Sequence, residues 1–196
     1  DIKSKLVAFL PYYASIASKF AFIFNLRDSL PGLAKMSEIL LGFTSKRPLP
    51  KWRLDYFRDN ELPSNLNTNE NSIPVILFVD TFNRYYEPDN VRSAIKVLRK
   101  AGYFPFIPTL KNSSKVLCCG RTYLTNGLIN HAKKEVLNIL ETYRPYLKNG
   151  ISVVGLEPSC ILSFRDEIPN MIKNKETDYL KNNSYTFEEL LSKHSE

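Results

Sequence analysis

The chain has 196 residues, with 27 Lys and Arg against 20 Asp and Glu for a formal net charge of +7, and is long enough to bury one ordinary core plus extensions without disulfide staples. Three cysteines are an odd count, and no basic segment leads into a short apolar core with a small-residue cleavage site, so the expectation is a reducing, cytoplasmic compartment rather than secretion. The basic residues are dispersed (Lys96, Arg99, Lys100, Lys133, Lys134, Lys148, Lys173, Lys175) and no RNA-binding or helix-turn-helix signature organises them, so a solvated surface is expected and nucleic acid is not an expected partner.

Residues 1–57 are apolar and aromatic and lack strand patterns. The stretch Leu6 to Leu26 is the most hydrophobic, but Pro11, Lys19 and several Ser and Tyr residues interrupt it. It reaches the roughly 20 residues of a membrane span only by including those breaks, so two short helices packed on a neighbouring domain are expected. Asp28-Ser29 before Leu30-Pro31 reads as a helix start. Arg47-Pro48-Leu49-Pro50-Lys51-Trp52-Arg53 reads as an extended connector, because each proline biases the residue before it away from helix. Residues 58–72, rich in Asn, Ser and Asp, read as a surface linker.

From residue 73 onward strand and helix patterns alternate. Val75 to Val79 is a continuous apolar run, as expected of a strand covered on both faces. Pro88 opens a helix with Val91, Ala94, Ile95 and Leu98 on one face, and Gly102 stops it. A strand at Phe104 to Ile107 leads by a loop to Cys118-Cys119-Gly120. A helix from Asn126-Gly127 to Gly150 carries Leu128, Ala132, Val136, Leu140 and Tyr143. Ile151 to Leu156 is the third strand, Cys160 begins a helical stretch through Phe164 and Ile168, and Thr186 caps a final helix to Lys193. No internal repeat is present. Three strands alternating with helices predict an α/β fold: a Rossmann-like three-layer domain (residues 73–196) with a small parallel sheet and right-handed crossovers, preceded by a helical extension.

In such sheets the carboxyl ends of the strands form the working edge. Asp80, the Cys118-Cys119-Gly120 triplet and Glu157-Pro158-Ser159-Cys160 all follow strands or the loops they feed, so one pole gathers them. Neighbouring thiols make a poor disulfide with each other. They suit two soft ligands on one metal, or a redox pair, and Cys160 supplies a third thiol at a helix start. Against this stands the reading of Cys118 and Cys119 as small buried hydrophobes. Asp80 and Glu157 have two readings each, as substitute ligands or as hydrogen-bond acceptors for loop amides. Arg121 is either the holder of an anionic group through its planar fork or half of a salt bridge to Glu157 or Asp166. His131 and His194 have no second histidine three or four residues away and read as solvated, and Phe82, Tyr85 and Tyr86 read as packing around the pole.

The ordered set Phe78-Val79-Asp80-Thr81-Phe82, Tyr85-Tyr86-Glu87-Pro88, Leu117-Cys118-Cys119-Gly120-Arg121, Val154-Gly155-Leu156-Glu157-Pro158-Ser159-Cys160 and Phe164-Arg165-Asp166-Glu167 resembles one family. It is the cysteine-rich CCG domain of FAD-linked oxidases of the D-lactate dehydrogenase and glycolate oxidase type, related to heterodisulfide reductase subunits. The resemblance covers about residues 44–193 and implies the first of a tandem pair. A flavin domain, a ferredoxin-like segment and a second CCG domain then belong to the parent chain and are this chain's expected partners, together with a membrane-associated electron acceptor at the inner membrane face. It implies electron transfer from reduced FAD through iron–sulfur centres, with Cys118, Cys119 and Cys160 as metal ligands and Arg121, Asp80 and Glu157 near the cofactor. The fuller family pattern carries five thiols; here Asp80 or Thr81 fills the first position and Glu157 the fourth, leaving three. A cubane cluster takes about four thiolates. The expected function is therefore an electron-transfer module excised from an FAD-linked iron–sulfur 2-hydroxyacid dehydrogenase. The alternatives are a non-catalytic assembly domain that has lost its cluster and docks a partner subunit or a membrane surface, and a zinc-binding or thiol-dependent enzyme.

Overall fold

The computed structural model describes residues 1–66, 72–110, 113 and 115–193. Four helices come first: α1 (Ile2–Ala8), α2 (Leu10–Lys19), α3 (Ala21–Ser29) and α4 (Leu33–Leu41). The apolar stretch thus breaks into three helices, one more than Pro11 and the polar interruptions suggested. Asp28-Ser29 ends α3 instead of starting a helix, which corrects the sequence reading. Pro31 forces Leu30 into extended backbone (φ −104°, ψ 131°), and α4 restarts after Gly32 in the left-handed region at φ 87°. No helix among the described residues is long and apolar enough to cross a membrane.

After the connector, a single 3-10 turn at Asp59–Glu61 precedes β1 (Ile73–Phe78), α5 (Thr81–Tyr85), α6 (Pro88–Lys100) and β2 (Tyr103–Phe106). There follow α7 (Arg121–Leu124), α8 (Ile129–Leu147), β3 (Ser152–Gly155), α9 (Pro158–Arg165) and α10 (Glu167–Met171), and finally α11 (Lys175–Asn183), β4 (Ser184–Thr186) and α12 (Phe187–Ser192). The four strands form one sheet in the order β2-β1-β3-β4, every pair parallel, with Ile76 opposite Phe106 and Val153. This is the expected Rossmann-like α/β architecture. Pro105 is tolerated because β2 is an edge strand, and Pro74 because it stands at the start of β1, outside the β3 register.

Alternation along β1 divides the core into two layers. Ile76 and Phe78 face Val136, Ile139, Leu140 and Tyr143 of α8 and Ile161 and Phe164 of α9. Val75, Leu77 and Val79 face Val91, Ile95 and Leu98 of α6 and Leu190 of α12. The second layer also buries Phe57 and Leu62, so the described start of the 58–72 stretch is anchored to the domain. At its other end the connector is hydrogen-bonded to α3, with Trp52 N–H donating to Asn25 Oδ1 and Asn25 Nδ2 donating to the Trp52 carbonyl, each at 2.9 Å.

Candidate functional site

The carboxyl ends of β1 and β3 deliver two helix starts side by side. Asp80 caps α5, its Oδ1 accepting from Phe82 N (2.9 Å) and Asn83 N (3.0 Å) and its Oδ2 from Asn83 Nδ2 (2.7 Å). Burial raises its pKa, and the hydrogen bonds from Asn83 and Phe82 offset this only in part. Glu157 caps α9, its Oε1 accepting from Ser159 N at 3.2 Å. Both carboxylates therefore do the capping work that sequence reasoning held open beside metal binding.

Between these two helix starts lie the thiols. Cys118 and Cys119 lie outside any helix or strand, on a segment that turns at Gly120 (φ 80°) into α7. Cys160 is the third residue of α9, so its side chain comes from the first turn of that helix. All three cysteines are buried and free. The Sγ atoms of Cys119 and Cys160 lie 2.9 Å apart, and Gly120 N–H points at Cys118 Sγ at 3.4 Å. The neighbouring Cys119 thiol and burial push the Cys118 thiol well up. For Cys119 the Cys118 thiol acts downward, but the Cys160 contact and burial outweigh it, and the thiol is also held well above its ordinary value. The sequence-predicted convergence of three thiols is thus what the fold delivers. Beside them is a cavity of about 30 Å³ lined by Phe78, Phe82, Cys118, Cys119, Ser159 and Cys160, among others. That is room for about two waters.

Arg121 opens α7 at the rim of this cavity. Its partner is neither Glu157 nor Asp166: Nη1 is paired with the Glu167 carboxylate and lies 3.3 Å from Ser163 Oγ. Asp166 terminates α9 and the chain kinks there, so the next residue, at the start of α10, is the one that faces back. Glu167 and Ser163 were not singled out from sequence; the only signal for Glu167 was its place in the Phe164-Arg165-Asp166-Glu167 motif. His131 is exposed as expected, yet its ring stacks on Tyr123 (5.4 Å) and meets Phe9 edge-on (5.3 Å). His194 lies outside the described residues. Phe82 stacks on Tyr86 at 6.3 Å, and Tyr86 lies 4.6 Å from Trp52, so the aromatic cluster packs the connector onto the pole.

This donor set does not fit the iron–sulfur cluster that the resemblance implies. Among the described residues no group of three or more His, Cys, Asp or Glu side chains is placed to hold a metal ion. Each thiolate of a cubane takes its own iron, and even two sulfurs on a single tetrahedral metal with bonds of about 2.3 Å stand roughly 3.8 Å apart. The Cys119–Cys160 separation of 2.9 Å is about 0.9 Å shorter than that, and the Asp80 and Glu157 carboxylates are occupied as helix caps.

Comparison with known proteins places the chain beside dehydrogenases. It is 27% identical over 159 residues to one of the subunits of the anaerobic glycerol-3-phosphate dehydrogenase of Escherichia coli K12, a match covering 81% of this chain and 39% of the relative. It is 24% identical over 185 residues to the D-2-hydroxyglutarate dehydrogenase of Haemophilus influenzae, covering 90% of this chain and 17% of the relative. The Escherichia coli K12 protein of the same name is 24% identical over 175 residues, covering 85% and 16%. The chain thus spans about two fifths of the first relative and about a sixth of the others. No family model matches it, and no solved structure does. The relatives are dehydrogenases or part of one, which supports a role on the electron-transfer side of an oxidoreductase.

Proposed function

We propose that this chain is the electron-transfer part of an FAD-linked iron–sulfur dehydrogenase acting on a 2-hydroxy acid, placed in the cytoplasm at the inner face of the membrane, with substrate oxidation belonging to a flavin domain elsewhere in the parent enzyme. One observation carries the reading: three buried thiols converge at the carboxyl edge of a parallel sheet, in a chain similar over most of its length to segments of dehydrogenases. A ferredoxin-like segment and a second cysteine-rich domain are the expected neighbours, and any resident cluster is assigned to them, since the three-thiol set here does not fit one. Arg121, held at the rim by Glu167 and Ser163, stands where an approaching anionic group would exchange carboxylate partners with it.

The test uses the parent enzyme with Cys119→Ser. Bleaching of the flavin by the 2-hydroxy acid is expected to persist while reduction of an artificial acceptor dye falls at least tenfold. Dye reduction at the wild-type rate would sink the electron-transfer role. Anaerobic treatment of this chain alone with iron and sulfide is expected to leave it without stoichiometric iron; stoichiometric iron lost on Cys119→Ser would return cluster ligation to this chain.

A second reading, assembly, is favoured by a different observation. Helix α4 buries none of its residues, and Phe22, Ile23, Phe24, Met36, Ile39 and Leu40 of α3 and α4 are all exposed. An exposed apolar face of this kind marks a docking surface. Its occupant in this reading is another domain or subunit of the same dehydrogenase.

A further inference from the structure

The geometry points to Cys119 and Cys160 as a dithiol/disulfide couple, a two-electron redox site formed by this chain's own sulfurs, with Cys118 left outside the bond as a free thiol. The two sulfurs are 2.9 Å apart. They are brought together from residues 41 positions apart by two elements that the fold fixes independently: the Gly120 turn, which presents Cys119, and the first turn of α9, which presents Cys160. Closing to the disulfide bond length of about 2 Å asks for less than 1 Å of movement, whereas opening to the spacing of two metal ligands asks for a similar movement in the other direction, plus a fourth donor. Both sulfurs line the same cavity, which reaches exposed residues at Phe82 and Ser159, so a small oxidant has a way in. Cys118 is excluded as a partner for Cys119 because neighbouring residues cannot reach ordinary disulfide geometry without strain.

The reaction balances with hydrogen peroxide as oxidant, a molecule of the size that the cavity admits. Two Cys S–H bonds and the O–O bond of the peroxide break, the Cys119–Cys160 bond and two O–H bonds form, and both protons leave in two molecules of water. The reverse reaction, disulfide to dithiol, takes up two electrons and two protons, the same number that oxidation of an alcohol carbon to a carbonyl releases. That last match rests on the electron-transfer reading above; the existence of the couple does not. The oxidised form also removes two of the three soft donors, so metal binding and disulfide formation exclude each other at this pole.

The experiment incubates the fully reduced 196-residue chain with a small stoichiometric excess of hydrogen peroxide, denatures and alkylates it, counts the alkylated thiols by mass, and maps an unreduced digest. The expected result is a fall from the three thiols of the sequence to one, with the label on Cys118 and a peptide linked through Cys119 and Cys160. Cys118→Ser is expected to form the same link, and Cys160→Ser to form no internal link. Three labelled thiols throughout, a Cys118–Cys119 link, or oxidation to sulfinic acid with no internal link would each overturn the couple. The wild-type count needs no variant to fold, and it reads the chain alone, so its failure is separate from failure of the dye assay in the parent enzyme.

Discussion

Gly120 shows how closely single residues are held at the thiol pole. It stands at φ 80°, a left-handed conformation, and a Cβ added to it would meet the Cα and carbonyl oxygen of Ala132 at 3.1 Å. Those are backbone atoms of α8 and cannot swing aside. Gly120→Ala therefore carries the left-handed cost of about 1–2 kcal/mol and a steric cost on top of it. Gly102 is the internal control, since it has φ 84° and no atom within 4 Å of an added Cβ, so its alanine variant carries the first cost alone. Urea denaturation is expected to rank Gly120→Ala below Gly102→Ala and both below wild type; equal midpoints for the two variants would remove the close packing of Gly120 on α8 from the account. Gly155 differs in kind. Its backbone is ordinary, but an added Cβ would lie 2.7 Å from Ile161 Cδ1. Ile161 follows Cys160, so the absence of a side chain at Gly155 sets how deeply α9 seats its thiol.

At the scale of elements, the connector is clamped to α6 by charge. Arg53 holds Asp55 through two contacts of 2.8 Å and reaches Asp89 at 3.1 Å, while Arg92 pairs with Glu61 at 2.9 Å. The Arg53 hydrogen bonds hold the Asp55 carboxyl down at about 2. An acid lowered in the folded state contributes stability above its ordinary pKa of about 3.9 and loses it as pH falls toward the lowered value. The connector is thus expected to loosen between about pH 4 and pH 2. Trp52, the sole tryptophan, reports this by a red shift in emission that precedes loss of helical circular dichroism. Asp55→Asn is expected to remove that step; if the step survives, the clamp is not its cause. These side chains are partly exposed, so added salt weakens the effect. The clamp was not legible in the sequence, because its partners come from three separate stretches. The strands and helices that build the two core layers were legible, since their apolar spacing is dictated by burial on a sheet. β4 was not: Ser184–Thr186 is three residues long with Ser and Thr at its ends, too short for alternation to register, and only pairing with β3 makes it a strand. At the site the convergence of the cysteines could be read from strand ends, whereas the Glu167 partner of Arg121 could not, because it depends on the kink at Asp166.

For the whole molecule, the question is why a chain that buries two good core layers leaves α3 and α4 apolar toward solvent. Phe22 is 65% exposed and Ile39 74%, values that give these side chains no stabilising role in the isolated fold. The extension is nonetheless firmly attached: Thr122 Oγ1 donates to the Ala8 carbonyl at 3.1 Å, and Ala8 is buried with Tyr123 and Ala132, directly behind the α7 turn that carries Arg121. The helices that carry this face are tied to the pole through Ala8 on the α7 side and through Asn25, Trp52 and Tyr86 on the α5 side, which suits a neighbour that must also reach the pole. The relatives extend well beyond the matched segment, so such a neighbour has a source in the proposed parent enzyme. The double variant Phe22→Asp/Ile39→Asp separates folding from docking. In this chain alone its unfolding free energy is expected to stay within about 0.5 kcal/mol of wild type per site, as for surface substitutions away from packed features. In the parent enzyme it is expected to lower both assembly, read by size-exclusion chromatography, and acceptor-dye reduction, while flavin bleaching by substrate persists. Loss of stability in the isolated chain would mean that the face is part of the fold, and unchanged assembly in the parent enzyme would mean that the neighbour docks elsewhere.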